Sequence, residues 1–454
     1  MLTSWRSAWQ QHIWLLEGLI LAGSLPFLLF PNRFVPGTLL ALLGLIFIET
    51  VPVLFRWRPV QTPSALDVPL LLFALILGIS ILVTADPDLT LDKAAGVLLG
   101  LFLWRYLNRT VQAAKQWTIA LFVFGVLGLG FVSLGILNAS WLNKIALLAP
   151  IISRLPNQIV ALPGQPGDGI HPNQTAGTLL FYFPLLWSVL LGSRWKVGWA
   201  RWLWLGLALL GTAVLFLTQS RSGWLGGAAA VYVLVALWAL SQHSGSPAQR
   251  RLLLLLGALT LAGLAGLAVI GPERLVELWQ DPAQETAVGS FGSLGFRQEV
   301  WRWTIVAVQD FPFTGIGLGS FRRVIRRLYP LGVDPGYEVV HAHNLYLHTA
   351  VDIGIPGLIV YLAIIGLVLG LGWQAARHNT HVRPYALGLT AGLLAYHVYG
   401  IGDALAFGSK TGLAFWFLLG LITTLHQVSN ATVEAEPEVS LPGVNAPGQL
   451  ANQR

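Results

Sequence analysis

Long, almost uninterrupted apolar runs alternate with polar connections along most of the chain. A membrane-spanning helix needs about 20 mostly apolar residues. Twelve runs approach that length, at roughly 13–31, 35–55, 67–84, 91–106, 116–138, 174–192, 199–218, 223–240, 252–271, 345–372, 384–404 and 411–427. The third and fourth are short. Asp67 stands at the entry of one, Asp92 and Lys93 at the entry of the other. The runs are continuously apolar and do not alternate, which excludes a β-barrel. The pattern predicts an all-α polytopic membrane protein of about twelve spans. The polar stretch Met1 to His12 leads into the first run without a small-residue cleavage site. It reads as the approach to a spanning helix and not as a removable signal peptide.

Two connections are long, 139–173 and 272–344, and the second is the only stretch of ordinary soluble composition. This divides the chain into helices 1–9 (residues 1–271), a loop domain (272–344), helices 10–12 (345–427) and a tail (428–454). The tail is rich in Pro, Glu, Asn and Gly and reads as disordered.

Composition agrees: of 454 residues 55% are hydrophobic and only 10% charged, and the mean hydropathy is +0.67. A soluble globule this apolar would expose large greasy patches, and disorder needs low hydrophobicity. The absence of cysteine removes disulfides, thiolate metal sites and Cys nucleophiles. The net charge of +7 reads as topology, because Lys and Arg concentrate on the cytoplasmic side of membrane proteins; no nucleic acid is implied. With the N-terminus inside, the cytoplasmic connections and termini hold fourteen Lys and Arg, and the outer ones apart from 272–344 hold six. Both termini are therefore expected in the cytoplasm and the 272–344 loop outside. Its seven basic residues are all Arg (274, 297, 302, 322, 323, 326 and 327). Arg suits bidentate binding of phosphate or carboxylate, although eight acidic residues share the loop and could equally salt-bridge it.

Four polar constellations fall on that outer side. Thr218-Gln-Ser220-Arg221-Ser222-Gly-Trp224 ends the seventh run. An ionisable residue at that depth is costly and marks a functional candidate, or else snorkels to the interface. Ser220 and Ser222 could add hydroxyl donors to an Arg221 anion site. Next, Arg297, Trp301 and Ile305 share one helix face, with Arg302 beside them, and Gly315, Gly317 and Gly319 follow. Such glycines can turn the backbone close to an anion, though they more often make a plain tight loop. His341-Ala-His343-Asn344-Leu-Tyr346-Leu-His348 precedes the tenth run. Histidine is a general base near neutral pH; the bland alternative is a helix cap with Asn344 at its N-cap. The pair could ligate a metal, but there is no HExxH helix and no cysteine, and no metal or other cofactor is expected. Last, Gly164 to Gln174, with Asp168, His171 and Asn173, is a polar turn and could form one wall of a site.

These residues resemble the O-antigen ligase family and its related O-antigen polymerases. The resemblance rests, in chain order, on Ser220-Arg221-Ser-Gly, on Arg297-x-x-x-Trp301, on Pro312 to Gly319, and on His343-Asn344 ahead of Gly354-Ile-Pro-Gly357, over about 218–372. It implies a metal-independent, glycosyltransferase-C-like enzyme of the bacterial inner membrane. Such an enzyme moves a finished glycan from undecaprenyl diphosphate to a lipid acceptor such as lipid A–core at a periplasmic site. Arg221 and Arg297 would then hold the diphosphate, and His343, or alternatively His341, would orient or deprotonate the acceptor hydroxyl. Asn344 and Tyr346 would support them; Ser220, Ser222, Trp301, Arg302 and Gly317 would contact substrate. A polymerase of the same family is the near alternative, and one cyanobacterial subgroup has been linked to inorganic carbon transport. A transporter would show internal repeats and buried midplane charge. No repeat of halves is visible, and the candidate buried charges (Glu17, Glu49, Asp352 and Asp403) mostly lie near run ends.

Overall fold

The computed structural model describes residues 2–54, 64–138, 141, 148–155, 170–193, 195, 198–280, 293–332, 338–405 and 408–435. Among them the chain is helical and forms no sheet. The helices are α1 (Leu2–Leu29), α2 (Val35–Leu54), α3 (Asp67–Leu82), α4 (Pro87–Thr110), α5 (Ala114–Asn138) and the short α6 (Ala149–Ile152). They continue with α7 (Pro172–Leu179), α8 (Phe183–Gly192), α9 (Gly198–Leu217), α10 (Arg221–Leu240) and α11 (Pro247–Ile270). The loop region adds α12 (Pro272–Gln280), α13 (Ser293–Asp310) and α14 (Phe321–Leu328), and α15 (Leu345–His378), α16 (Arg383–Tyr399) and α17 (Gly412–Ala435) complete the chain.

Every expected apolar run carries a helix. Among the described residues, seven segments are long and apolar enough to cross a membrane: α5, α7 with α8, α9, α10, α11, α15 and α17. The apolar parts of α1, α2 and α3 are shorter. The protein is thus a multi-pass membrane protein. Three details differ from the sequence reading. The sixth run is broken by a turn at 180–182 into α7 and α8. The eleventh ends as helix at Tyr399, which leaves Asp403 in the following turn. The twelfth runs on to Ala435, into the stretch read as tail, while 436–454 lie outside the described residues.

Helix starts are set by short polar caps against apolar continuations. Asp86 accepts from the Leu89 amide before Pro87, and Ser246 from that of Gln249 before Pro247. Ser220 accepts from the Gly223 amide at 3.2 Å. Each satisfies one of the amides that a helix N-terminus leaves open. In the interior, α16 is surrounded by α8, α10, α15 and α17. α11 has no buried residue; in a bilayer its Leu-rich surface meets lipid. An ionic cluster joins α1, α2 and α4: Arg109 lies 3.1 Å from Glu17 and 2.5 Å from Glu49, and Arg105 also pairs with Glu49. Two of the four suspected buried charges are thereby structural.

The loop helices α13 and α14 build a core of their own, with Val300, Ala307, Phe321, Val324 and Ile325, and seat it on Val351 of α15. α15 is kinked at Gly354, whose φ is +75°. The loop after α13 docks on that kink: the Ile316 amide donates to Val351 O at 2.8 Å and the Ile355 amide to Pro312 O at 2.7 Å. A Cβ at Gly354 would lie 2.3 Å from Phe313 O, so no side chain fits. Gly315, Gly317 and Gly319 all have positive φ, but they face protein. Cβ atoms there would meet the Asp352 backbone, Thr84 and the Lys93 side chain. The glycine run packs closely on α15, Thr84 and α4, and the Gly319 amide donates to Asp352 Oδ2 at 3.3 Å.

Candidate active site

One buried carboxylate organises a polar cluster where α7, α10, α13 and the segment before α15 meet. Asp403 is 2% exposed. Its Oδ2 accepts from Asn173 Nδ2 at 2.6 Å and lies 4.0 Å from Arg297 Nη2. Its Oδ1 accepts from the Ala404 amide at 2.9 Å and faces two histidines, His343 Nδ1 at 3.3 Å and His341 Nε2 at 3.9 Å. Burial pushes this carboxyl pKa up, but the pull of His343, His341 and Arg297 outweighs it and holds the group below the usual carboxylate range. Asp403 is therefore an anion at neutral pH.

Four separate elements deliver these groups. α13 supplies Arg297 and, one turn on, Trp301, whose indole N–H donates to His343 O at 3.4 Å. The 341–344 segment supplies both histidines. It is pinned to the Asp403 turn because the Leu345 amide donates to Gly400 O and Asn344 Nδ2 donates to Ile401 O. The start of α7 supplies Asn173, and Tyr399 holds that backbone by donating to Asn173 O at 2.9 Å. α10 supplies Arg221 at its first turn, near enough to Arg297 for the two guanidiniums to act on one another electrostatically. The approach of α10 needs a bare backbone opposite: a Cβ at Gly402 would lie 2.6 Å from Ser222 Oγ.

Two backbone features single out the same place. Among the described residues only Gln219 and His343 are non-glycine residues with left-handed φ, each at +49°. That conformation costs about 1–2 kcal/mol per residue and persists where the surroundings impose it, commonly at functional sites. One precedes the Ser220-Arg221 corner and the other carries the imidazole nearest Asp403. Arg297 Nε and Asn173 Oδ1 are buried without an aligned hydrogen-bond partner. These are open valences at a polar centre, where native structures leave few.

The structure brings Arg221, Arg297, Trp301, His341 and His343 together. Ser220 is spent capping α10, and Ser222 faces Gly402. Asn344 caps α15, accepting from the Tyr346 and Leu347 amides at 3.0 Å, and Tyr346 donates its hydroxyl to His397 O. Arg302 is exposed, with its guanidinium over the Trp303 ring, and Gly317 packs on Thr84. Ile305, on the Arg297 face of α13, is 45% exposed. Of the fourth constellation His171 and Asn173 are described, while Gly164 to Asp168 lie outside the described residues.

His341, His343 and Asp403 each place one ligand atom within 4.8 Å of the others, the spacing of a cation site. The hydrogen bonds argue against that use. The His343 amide donates to His341 Nδ1 at 3.2 Å. A neutral imidazole has one acceptor nitrogen and one N–H, so the Nε2 that faces Asp403 carries the proton and has no lone pair for a metal.

Sequence comparison adds one finding. Residues 205–362 match the family described as O-antigen ligase, a family of glycosyl-transfer and ligase enzymes. No curated protein matches the chain. The matched region runs from α9 into α15 and contains Arg221, Arg297, His341 and His343; Asn173 and Asp403 lie outside it. The region that supplies both arginines and both histidines of this centre is thus the part of the chain that matches the O-antigen ligase family.

Proposed function

We propose that the protein transfers a glycan from undecaprenyl diphosphate to a lipid A–core type acceptor, with inversion at the sugar carbon and without a metal ion. The site works at the periplasmic face of the bacterial inner membrane, with about twelve spans and both termini cytoplasmic. The acceptor hydroxyl gives its proton to His343 as its oxygen attacks the anomeric carbon. The bond from that carbon to the diphosphate oxygen breaks, and the electron pair leaves with the diphosphate. Arg221 and Arg297 meet the charge developing there, a role that preorganised cations perform best in a water-poor site. Asp403, 3.3 Å from His343 Nδ1, orients the imidazole.

The observation that carries this reading is the convergence of Arg297, His341 and His343 on Asp403, with Arg221 alongside. Two guanidiniums against one carboxylate leave a net positive centre for a diphosphate whose negative charge grows by one as it leaves. The test is transfer by purified protein from an undecaprenyl-diphosphate glycan to a lipid A–core acceptor, with a chelator present, beside His343→Ala. Transfer by the wild type only is expected. Longer lipid-linked glycan with an untouched acceptor would reassign the protein as a polymerase of the same family. No glycan chemistry would move the reading toward transport.

A further inference from the structure

The geometry points to His341 as a positioning residue whose Nδ1 holds the left-handed backbone of His343, and not as a second base or a metal ligand. This rests on the transferase reading above for its activity test, but not for its spectroscopic one.

The contact is a short loop of the chain on itself. The His343 amide donates to His341 Nδ1 at 3.2 Å. That nitrogen is then no acceptor for a substrate proton, and the tautomer is fixed with the proton on Nε2. Nε2 lies 3.9 Å from Asp403 Oδ1, so its N–H is turned toward a carboxylate that itself needs donors. Neither nitrogen of His341 offers a lone pair to an acceptor hydroxyl. His343 is the reverse case. Its Nδ1 lies 3.3 Å from Asp403 Oδ1, which leaves Nε2 as the nitrogen able to take a proton.

What His341 does supply is restraint. His343 sits at φ +49°, a conformation an L-residue leaves unless it is held. The amide of His343 is tied by His341 Nδ1 and its carbonyl by the Trp301 indole. Release of the amide lets the backbone relax and carries the imidazole away from Asp403. Asparagine reproduces the tie without the titratable ring: its Oδ1 occupies the place of Nδ1 and accepts the amide two residues on, as in an Asx-turn.

The test compares wild type, His341→Ala and His341→Asn in the full chain in detergent, with an undecaprenyl-diphosphate glycan and a lipid A–core acceptor. His341→Ala should lose about 100-fold in transfer, the scale of a small misplacement of a catalytic group. His341→Asn should recover most of that loss and keep the wild-type pH profile. An Asn variant as inactive as Ala, with both folded, would overturn the assignment in favour of a base or ligand role. Nitrogen NMR of protein labelled in histidine gives a readout independent of activity. The resonance pair lost in His341→Asn should show a bare Nδ1 and a protonated Nε2 in wild type at neutral pH; the opposite tautomer would overturn the assignment. Wild type inactive on every donor would overturn the transferase reading instead, and the tautomer would still decide the role of His341.

Discussion

His343 Nδ1 lies 3.3 Å from Asp403 Oδ1, although sixty residues and all of α15 and α16 separate the two in the chain. A carboxylate behind the far nitrogen of an imidazole sets its tautomer and stabilises the cation formed when the near nitrogen takes a proton. Asp403→Asn should therefore cost roughly 10²–10⁴-fold in transfer, the range of general-base catalysis, with little change in donor KM. A rate unchanged by the substitution, measured in protein of unaltered melting temperature, would remove Asp403 from the mechanism.

Arg221 and Arg297 reach the site from α10 and α13 and act on each other electrostatically. Two like charges held together in a partly buried place cost energy unless an anion repays it. Arg221→Ala and Arg297→Ala should each lower transfer by about 10²–10³-fold, as loss of one electrostatic donor does elsewhere, while insertion into the membrane is unaffected. Lys at either position should restore only part of the rate, because an ammonium cannot form the bidentate fork. Full activity in either Ala variant would exclude that arginine from the site.

Much of this site was legible from residue types and order, and the reasons are physical. Arg221 was exposed as a candidate by standing between apolar runs, where charge is expensive. His343 stood out by clustering, and Arg297 and Trp301 by their spacing on one helix turn. Asp403 was visible only as one more suspected buried charge, because a flat hydropathy run to 404 hides a helix that stops at Tyr399. Asn173 looked like ordinary turn chemistry; its bond to Asp403 spans 230 residues, and no local pattern encodes it. The contacts of Gly317 with Thr84 and of Arg302 with the Trp303 ring are likewise not encoded by their residue types.

Away from the site, Arg109 pairs with both Glu17 and Glu49, and its side chain is 7% exposed. Removing one partner of a buried pair leaves an uncompensated charge and costs about 3–5 kcal/mol. Arg109→Ala should lower the melting temperature in detergent markedly and loosen α1 and α2 from α4, with the protein that remains folded still transferring glycan. A melting temperature equal to wild type would mean that water or lipid head groups already screen the carboxylates.

The same centre sets an acid sensitivity that a single variant isolates. Burial, then His343, pushes the His341 pKa well below 6.5 against the raising pull of Asp403, and His348 and Lys93 lower it further. The folded protein therefore keeps this ring neutral, whereas in the unfolded chain it titrates near about 6.5. Below that pH the unfolded chain binds a proton that the folded one does not, so stability falls as pH falls. Asp403 does not contribute in this window. Its folded pKa is depressed, so its stabilisation is complete above about 3.9 and is lost only as pH drops through the lower folded value. Melting temperatures of wild type and His341→Asn, taken from about pH 8 to about pH 5, should thus diverge below the unfolded histidine pKa. The wild-type curve should fall more steeply, and the difference should vanish at the alkaline end apart from a constant offset. Parallel curves would mean that His341 takes up its proton in the folded state, in conflict with an Nδ1 already committed to the His343 amide.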